Sequence, residues 1–158
     1  MSRRDQIRMS NGEIDAYLAA ERIMTCATLA SNGRPHLVPL WYAPDTPTRL
    51  DCWTYASSQK VHNLRSRPQA TVQVESGDGY ERLRGVSMEC DVELVDDADI
   101  VAGIGLAVTA RYSAELTADS VGDDLTQFVR KQAAKRVGLR FHPTRIVSWD
   151  HRKLGGVF

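Results

Sequence analysis

Residues 53–68, WTYASSQKVHNLRSRP, decide how the chain is read. The run 50–55 ends as a strand, Ala56, Ser57 and Ser58 make a turn rich in small hydroxyls, and a short helix over 58–67 stops at Pro68. Ser57 or Ser58 suits the N-cap, which leaves free backbone N–H groups and the positive end of the helix dipole beside Thr54 and both serines. Lys60, Arg65 and Arg67 follow at once. A helix N-terminus with hydroxyls and a nearby lysine is a seat for phosphate. The same residues also describe an ordinary capped helix with a solvated basic face, so the flanking sequence has to decide.

Upstream, Ser10-Asn11-Gly12-Glu13 matches a capping box and predicts a short helix over 11–20, with Ile14, Tyr17 and Leu18 on one face. A strand over 24–30 meets Asn32-Gly33, a strong hairpin signal, and returns over 35–42 as PHLVPLWY. Pro39 inside that return strand gives no ladder hydrogen bond and marks an edge or an irregularity. A proline-rich turn, 43–48, leads to the third strand at 50–55.

Downstream of Pro68, QATVQVE at 69–75 alternates as a fourth strand, and residues 76–79 turn it. A long fifth strand spans 83–95, with Gly85 a bulge or a point of close backbone approach. Asp96 or Asp97 caps a helix over 98–112 that turns Ile100, Val101, Ile104 and Val108 inward. A polar loop to Gly122, a helix over 123–136, and two final strands at 137–141 and 145–149 complete the pattern, before the tail 150–158, DHRKLGGVF. Six or so hairpin-linked strands with peripheral helices predict one α+β domain, 1–158, built on a closed or nearly closed antiparallel barrel.

Lysine plus arginine balances aspartate plus glutamate at 20 each, so no global field draws the chain to nucleic acid or membrane. No apolar run is long enough to span a bilayer or follows the basic N-terminus as a signal peptide would, which predicts a cytoplasmic protein. Cys26, Cys52 and Cys90 lie apart in apolar runs and read as buried thiols. His36, His62, His142 and His151 never pair at i, i+4, so no metal site is predicted. There is no G-x-S-x-G, and Gly77 and Gly79 lead into a strand without the third glycine of a dinucleotide fingerprint. Trp41, Trp53 and Trp149 fall at strand ends, where core plugs and cofactor-stacking planes look alike.

In order, the chain presents the Asn32-Gly33 hairpin, R-P-H-x-V-P-L-W-Y, W-T-Y-x-x-S-x-K-x-x-N-L and R-P-x-A-T-V. This combination resembles the flavin- and deazaflavin-binding split β-barrel family that contains pyridoxamine 5′-phosphate oxidase, and within it the actinobacterial branch that uses coenzyme F420. The resemblance is strong over 34–74 and covers about 13–149. It implies a six-stranded antiparallel split barrel. The backbone of Val38, Pro39 and Leu40 would face the cofactor ring, and Trp53 and Thr54 would border its polyol chain and phosphate. Ser58, Gln59 and Lys60 would hold the phosphate, Asn63 would brace that turn, and Arg65 is a further candidate. The substrate would stack near Trp41 or Tyr42. No side chain need be catalytic, because the cofactor carries the hydride. The resemblance also implies a homodimer with cofactor sites at the subunit interface, to which the partner could lend Trp149, His151 and Lys153. An FMN-dependent oxidase-like enzyme and a non-catalytic cofactor- or haem-binding protein are the alternatives. Gln59-Lys60 stands where the oxidase has Arg-Lys, and the tail has no match to the oxidase's substrate-gripping segment, so the deazaflavin is favoured over FMN.

Overall fold

The computed structural model describes residues 2–46, 48–112 and 123–155. Helices α1 (Arg3–Ile7) and α2 (Asn11–Ala20) precede strands β1 (Ile23–Leu29), β2 (Pro35–Trp41), β3 (Ala43–Pro44) and β4 (Leu50–Tyr55). Helix α3 (Gln59–Ser66), β5 (Gln69–Ser76), a 3₁₀ turn at Tyr80–Arg82 and β6 (Arg84–Val95) follow. The chain then runs through α4 (Ala98–Tyr112), α5 (Asp123–Ala133), β7 (Arg136–Asp150) and a 3₁₀ turn at His151–Leu154. The polar loop expected before Gly122 lies outside the described residues.

The strands form one antiparallel sheet in the order β2-β1-β5-β6-β7-β4-β3. It has seven strands rather than six, because Ala43 and Pro44 pair with Asp51 and Leu50 inside the stretch expected to be only a turn. The sheet curls around a single main core. Met24 and Cys26, Leu50 and Cys52, Val72 and Val74, Met88 and Phe141 meet there with Ile14, Tyr17 and Leu18 of α2. The alternation of β5, buried at every second residue, is what one covered face requires. Helices α4 and α5 cover the other face of β4 and β7, closing over Trp53, Val95, Val101 and Val129.

Local signals place most boundaries. Ser10 and Glu13 form the reciprocal capping box of α2, and Asp97 rather than Asp96 caps α4 by accepting from the N–H groups of Asp99 and Ile100. Gly33 turns the hairpin at φ 79°. Pro39 lies on an edge strand in unbroken register with β1, opposite Thr25, so it ends no ladder. Gly85 is a close approach and not a bulge. A Cβ there would fall 2.2 Å from the Trp149 ring.

Three expectations change. The two final strands are one, β7, bent where Cys90 pairs with Pro143 and Glu89 with Arg145, leaving Thr144 as the extra residue. Proline has no N–H for the ladder, and the bulge absorbs the fault. The last helix stops at Ala133, because Arg136 already begins β7. Ile100 is exposed, while Val101, Ile104 and Val108 are buried as expected. All three cysteines are free and buried.

Arg111 of α4 fixes the corner where α2 meets the β2–β3 link. Its guanidinium donates to the carbonyls of Leu18, Ala19, Glu21 and Tyr42 and lies 4.7 Å from the Tyr42 ring centroid. These include last-turn carbonyls of α2 that have no partner within the helix. Among the described residues, no helix is long and apolar enough to cross a membrane.

Candidate functional site

The turn into α3 is held from both sides. Ala56 N–H donates to Lys135 O at the approach to β7, and Ser58 N–H donates to Tyr55 O at 3.0 Å. Ser58 stands at the N-cap in extended backbone, and its carbonyl accepts from Val61 and His62. Its hydroxyl does not cap the helix, as the sequence had suggested. It accepts instead from Lys60 Nζ at 3.2 Å, so the first turn of α3 has no side-chain cap.

Lys60 is 8 % exposed, and Ser58 Oγ is its one hydrogen-bond partner among the described residues. An ammonium has three donors, and burying it with only one of them used is costly. Desolvation pushes its pKa below the ordinary lysine value, opposed by the nearby sulfurs of Cys52 and Cys26. Burial in turn drives the Cys26 thiol up to about 12 and Cys52 higher still, so both stay neutral. This corner therefore holds a dehydrated cation with no carboxylate paired to it, an arrangement that suits an anion.

Asn63 anchors the helix. Its Nδ2 donates to the buried Thr28 Oγ1 of β1 at 2.9 Å, and its Oδ1 accepts from Gln59 Nε2 at 2.9 Å. Val61 and Leu64 complete the attachment in the main core. Gln59, Lys60 and Asn63 are thus brought together with Ser58, whereas Arg65 points to Asp96 at 3.4 Å in the link between β6 and α4. Between α3 and the β1–β2 hairpin lies a groove of about 350 Å³, lined by Leu29, Gly33, Gln59, His62, Asn63 and Arg67. A second groove of about 450 Å³ over the outer face of the sheet also has Arg67 in its wall, with Ala27, Pro35 and Thr71. Arg67, which adjoins Pro68, stood among the basic residues of the motif without a site role, and Thr28 had no signal at all.

Strand β2 is an edge, with Val38 and Leu40 leaning on the main core and Leu37, Pro39 and Trp41 facing outward. Trp41 is 56 % exposed and stacks on Tyr112 with ring centroids 4.1 Å apart and planes at 7°. Tyr42 is fully buried, and its hydroxyl donates to Leu18 O and Glu21 O. It is a core residue and offers a substrate no face, contrary to the expectation. Trp53 and Thr54 point to opposite sides of β4. Trp53 packs under α4 against Gly105, with the Arg136 guanidinium 4.4 Å from its ring, while Thr54 is buried on the other side. The Trp53 indole therefore belongs to the helical layer. Trp149, His151 and Lys153 are engaged within their own chain, on Gly85, on Tyr80 O, and on Arg8 O with Glu13 respectively.

The pyridoxamine 5′-phosphate oxidase family model matches residues 10–150. A conserved hypothetical protein of Mycobacterium tuberculosis is 37 % identical, aligned over 100 % of this chain and 95 % of its own, with a TM-score of 0.88. An F420 reductase is 23 % identical over 84 % of this chain and 94 % of its own, with a TM-score of 0.63. A haem storage protein of Vibrio cholerae is 12 % identical over 87 % and 93 %, with a TM-score of 0.66. At those two identities the likeness is one of fold. No curated protein matches the sequence. The family match runs from the N-cap of α2 to the last residue of β7, and the chain belongs to the pyridoxamine 5′-phosphate oxidase family of split-barrel oxidoreductases.

Proposed function

We propose that the chain is an oxidoreductase that transfers a hydride between reduced coenzyme F420 and a small unsaturated organic acceptor. The observation that carries this reading is Lys60, a desolvated ammonium at an uncapped helix N-terminus with one hydroxyl as partner. Ser58, Gln59 and Lys60 would take the phosphate, Asn63 would keep α3 in place, and the edge-strand backbone at Val38, Pro39 and Leu40 would meet the ring. When bound, the deazaflavin supplies the hydride chemistry, and the protein positions it and excludes water. The face of Trp41 turned from Tyr112 would receive a planar acceptor where the partner subunit closes over it.

Charge count favours the deazaflavin over FMN. Its phosphate is a diester with one negative charge, matched by one buried cation. The FMN monoester carries about −1.5 to −2 at neutral pH, and Arg65, the second cation expected there, is paired with Asp96. Arg67, which lines both grooves, would meet the further carboxylates of the F420 tail.

The acting unit is proposed to be a homodimer that covers the outward apolar row of β1 and β2. Ile23 pairs across the ladder with Trp41 and both are exposed, as is Leu37. An exposed row of this kind on an edge strand is the surface that self-association covers. Sedimentation of a monomer at concentrations of about 50 μM, well above those of stable interfaces, would remove this part.

The test is equilibrium binding of F420 and FMN to the purified protein by fluorescence quenching, with Lys60→Met alongside. F420 is expected to bind at least about tenfold more tightly than FMN, and the variant to lose roughly tenfold or more, about 1.4 kcal/mol. FMN binding without F420 binding would overturn the cofactor assignment, and binding of neither would overturn the reading altogether.

A further inference from the structure

A pocket of about 390 Å³ lies beneath α1, between the N-terminal segment and β7, and shares no residue with the grooves at α3. Its apolar wall is Met9 and Ile14, both buried, with Ile146 and Val147, which are a little over one-third exposed. Three guanidinium groups stand at its edge, from Arg4, Arg8 and Arg145, and no carboxylate lines it. We propose that this pocket binds an amphipathic anion, a molecule with one carboxylate or phosphate end and an apolar body.

Helix α1 supplies the first argument. It buries none of its residues, so its own packing does not account for its position. What holds this segment is Lys153 Nζ, which donates to Arg8 O at 2.8 Å, and Met9 N–H, which donates to Ser148 Oγ at 3.1 Å. These two bonds set Arg4 and Arg8 four residues apart beside the same pocket. Arg8 lies just past α1, at its C-cap in extended backbone, and both guanidinium groups line the pocket as like charges, so an anion between them relieves the repulsion.

The local acids leave charge to spare. Arg8 meets Asp5 at 3.6 Å, beyond hydrogen-bond distance, and Arg145 meets Glu89 at 2.9 Å. Arg4 makes no ion pair among the described residues. The set therefore carries three positive charges against two negative ones, at the mouth of an apolar wall. Guanidinium forks bind carboxylate and phosphate oxygens in pairs, and Met9, Ile14, Ile146 and Val147 offer nothing to a fully hydrated ion. A ligand that uses both parts has a charged end and an apolar body.

The experiment titrates decanoate, decyl phosphate and decanol into the full chain by calorimetry, with R4Q, R145Q and the double variant compared after thermal melts show each is folded. At least one of the two anions is expected to bind at least roughly tenfold more tightly than decanol. Each single variant should weaken the anion by about threefold or more and the double variant by more, with binding falling as salt rises. Tighter binding of one anion than the other names the end group. Equal binding of decanol and the anions, unchanged affinity in the double variant, or no anion binding would overturn the proposal. No cofactor is needed for the titration, so its failure is distinct from a failure of the F420 reading.

Discussion

Two cations, Arg111 and Lys60, are withdrawn from water at opposite kinds of helix end, and their surroundings differ. Arg111 spends its guanidinium on four main-chain carbonyls and lies against the Tyr42 ring. Lys60 has one hydroxyl within reach and neutral thiols nearby. A cation that serves the fold is saturated by the fold. One left with unused donors at the positive end of a helix stabilises nothing by itself and becomes favourable only with an anion beside it. The contrast separates a structural clamp from a binding group without reference to any bound molecule, and each half of it makes its own prediction.

The largest effect is expected at the clamp. Arg111→Met keeps the aliphatic stem but strands the carbonyls of Ala19 and Tyr42 and leaves those of Leu18 and Glu21 only the Tyr42 hydroxyl. Hydrogen bonds to charged groups contribute about 1.5–3 kcal/mol each and are not additive when one donor group serves several acceptors. A net loss of about 3–4 kcal/mol is expected, or roughly 6–16 °C in Tm for a chain of this size. Urea denaturation measures it, and a loss below about 1 kcal/mol would make Arg111 a surface contact rather than a clamp.

Next in size is Gly85, which tests whether the β6–β7 pairing is as closely packed as the clamp is saturated. A Cβ there meets carbon atoms of the Trp149 ring at 2.2–2.8 Å. Overpacking of this kind costs about 1–3 kcal/mol, and Gly85→Val belongs at the upper end. Shortening the opposing ring in Gly85→Val/Trp149→Leu should recover part of the loss. No recovery would mean that the cost lies in the strand backbone and not in the indole.

What was legible in the sequence follows the same division. Features decided within a few residues were readable: the Ser10–Glu13 box, the Asn32-Gly33 hairpin, the alternation of β5, the stop at Pro68. Arg111 was not, because its acceptors lie 69 to 93 residues away and no spacing announces them. Alternation says that Trp41 and Tyr42 face opposite ways, and likewise Trp53 and Thr54, but not which side the helices cover. That is settled by α2 and α4 packing on particular faces, which bury Tyr42 and draw the Trp53 indole into the helical layer while Trp41 stays exposed. The break at Pro143 looked like the end of a strand because a bulge and a loop share the same local chemistry. The side-chain cap expected of Ser57 or Ser58 is missing at Ser58 for the same reason. Its hydroxyl has two possible uses, and only the fold, by bringing Lys60 inward, decides between them.

Lys60→Met should invert the Arg111 result. Removing a buried ammonium that uses one of its three donors is expected to leave stability unchanged or slightly higher, while F420 affinity falls by roughly tenfold, about 1.4 kcal/mol. The pH dependences oppose each other too. Burial lowers the folded-state pKa of Lys60 below 10.5, so the unfolded chain holds that proton more tightly. Stability of the free protein therefore rises with pH between the lowered value and 10.5. Affinity for an anionic cofactor falls over the same window as the ammonium is lost. Binding and denaturation followed across that window in wild type and Lys60→Met would show both slopes disappear together, and slopes that persist in the variant would move the titration to another group.

The smallest effect belongs to a pair at the surface. Glu13 accepts from Lys153 Nζ at 2.7 Å and from the Ser10 N–H at 2.6 Å, and its carboxyl is held down from 4.5 to about 2, chiefly by the lysine. With the folded value below the unfolded one, its contribution is fully present above pH 4.5 and disappears as pH falls through about 2. The pair is exposed, so salt screens it and denaturation will barely register it. NMR titration of the Glu13 carboxyl is the sensitive measurement. In Lys153→Ala its pKa should rise but stop short of 4.5, because the Ser10 N–H still donates. A full return to 4.5 would mean that the tail, and not the capping box, holds the start of α2. An unchanged value would mean that the 3₁₀ turn at His151–Leu154 does not latch the N-terminal segment in solution. In that case Arg8 loses the bond that sets it beside Arg4, and the pocket beneath α1 loses the pair of guanidinium groups that would hold an anion.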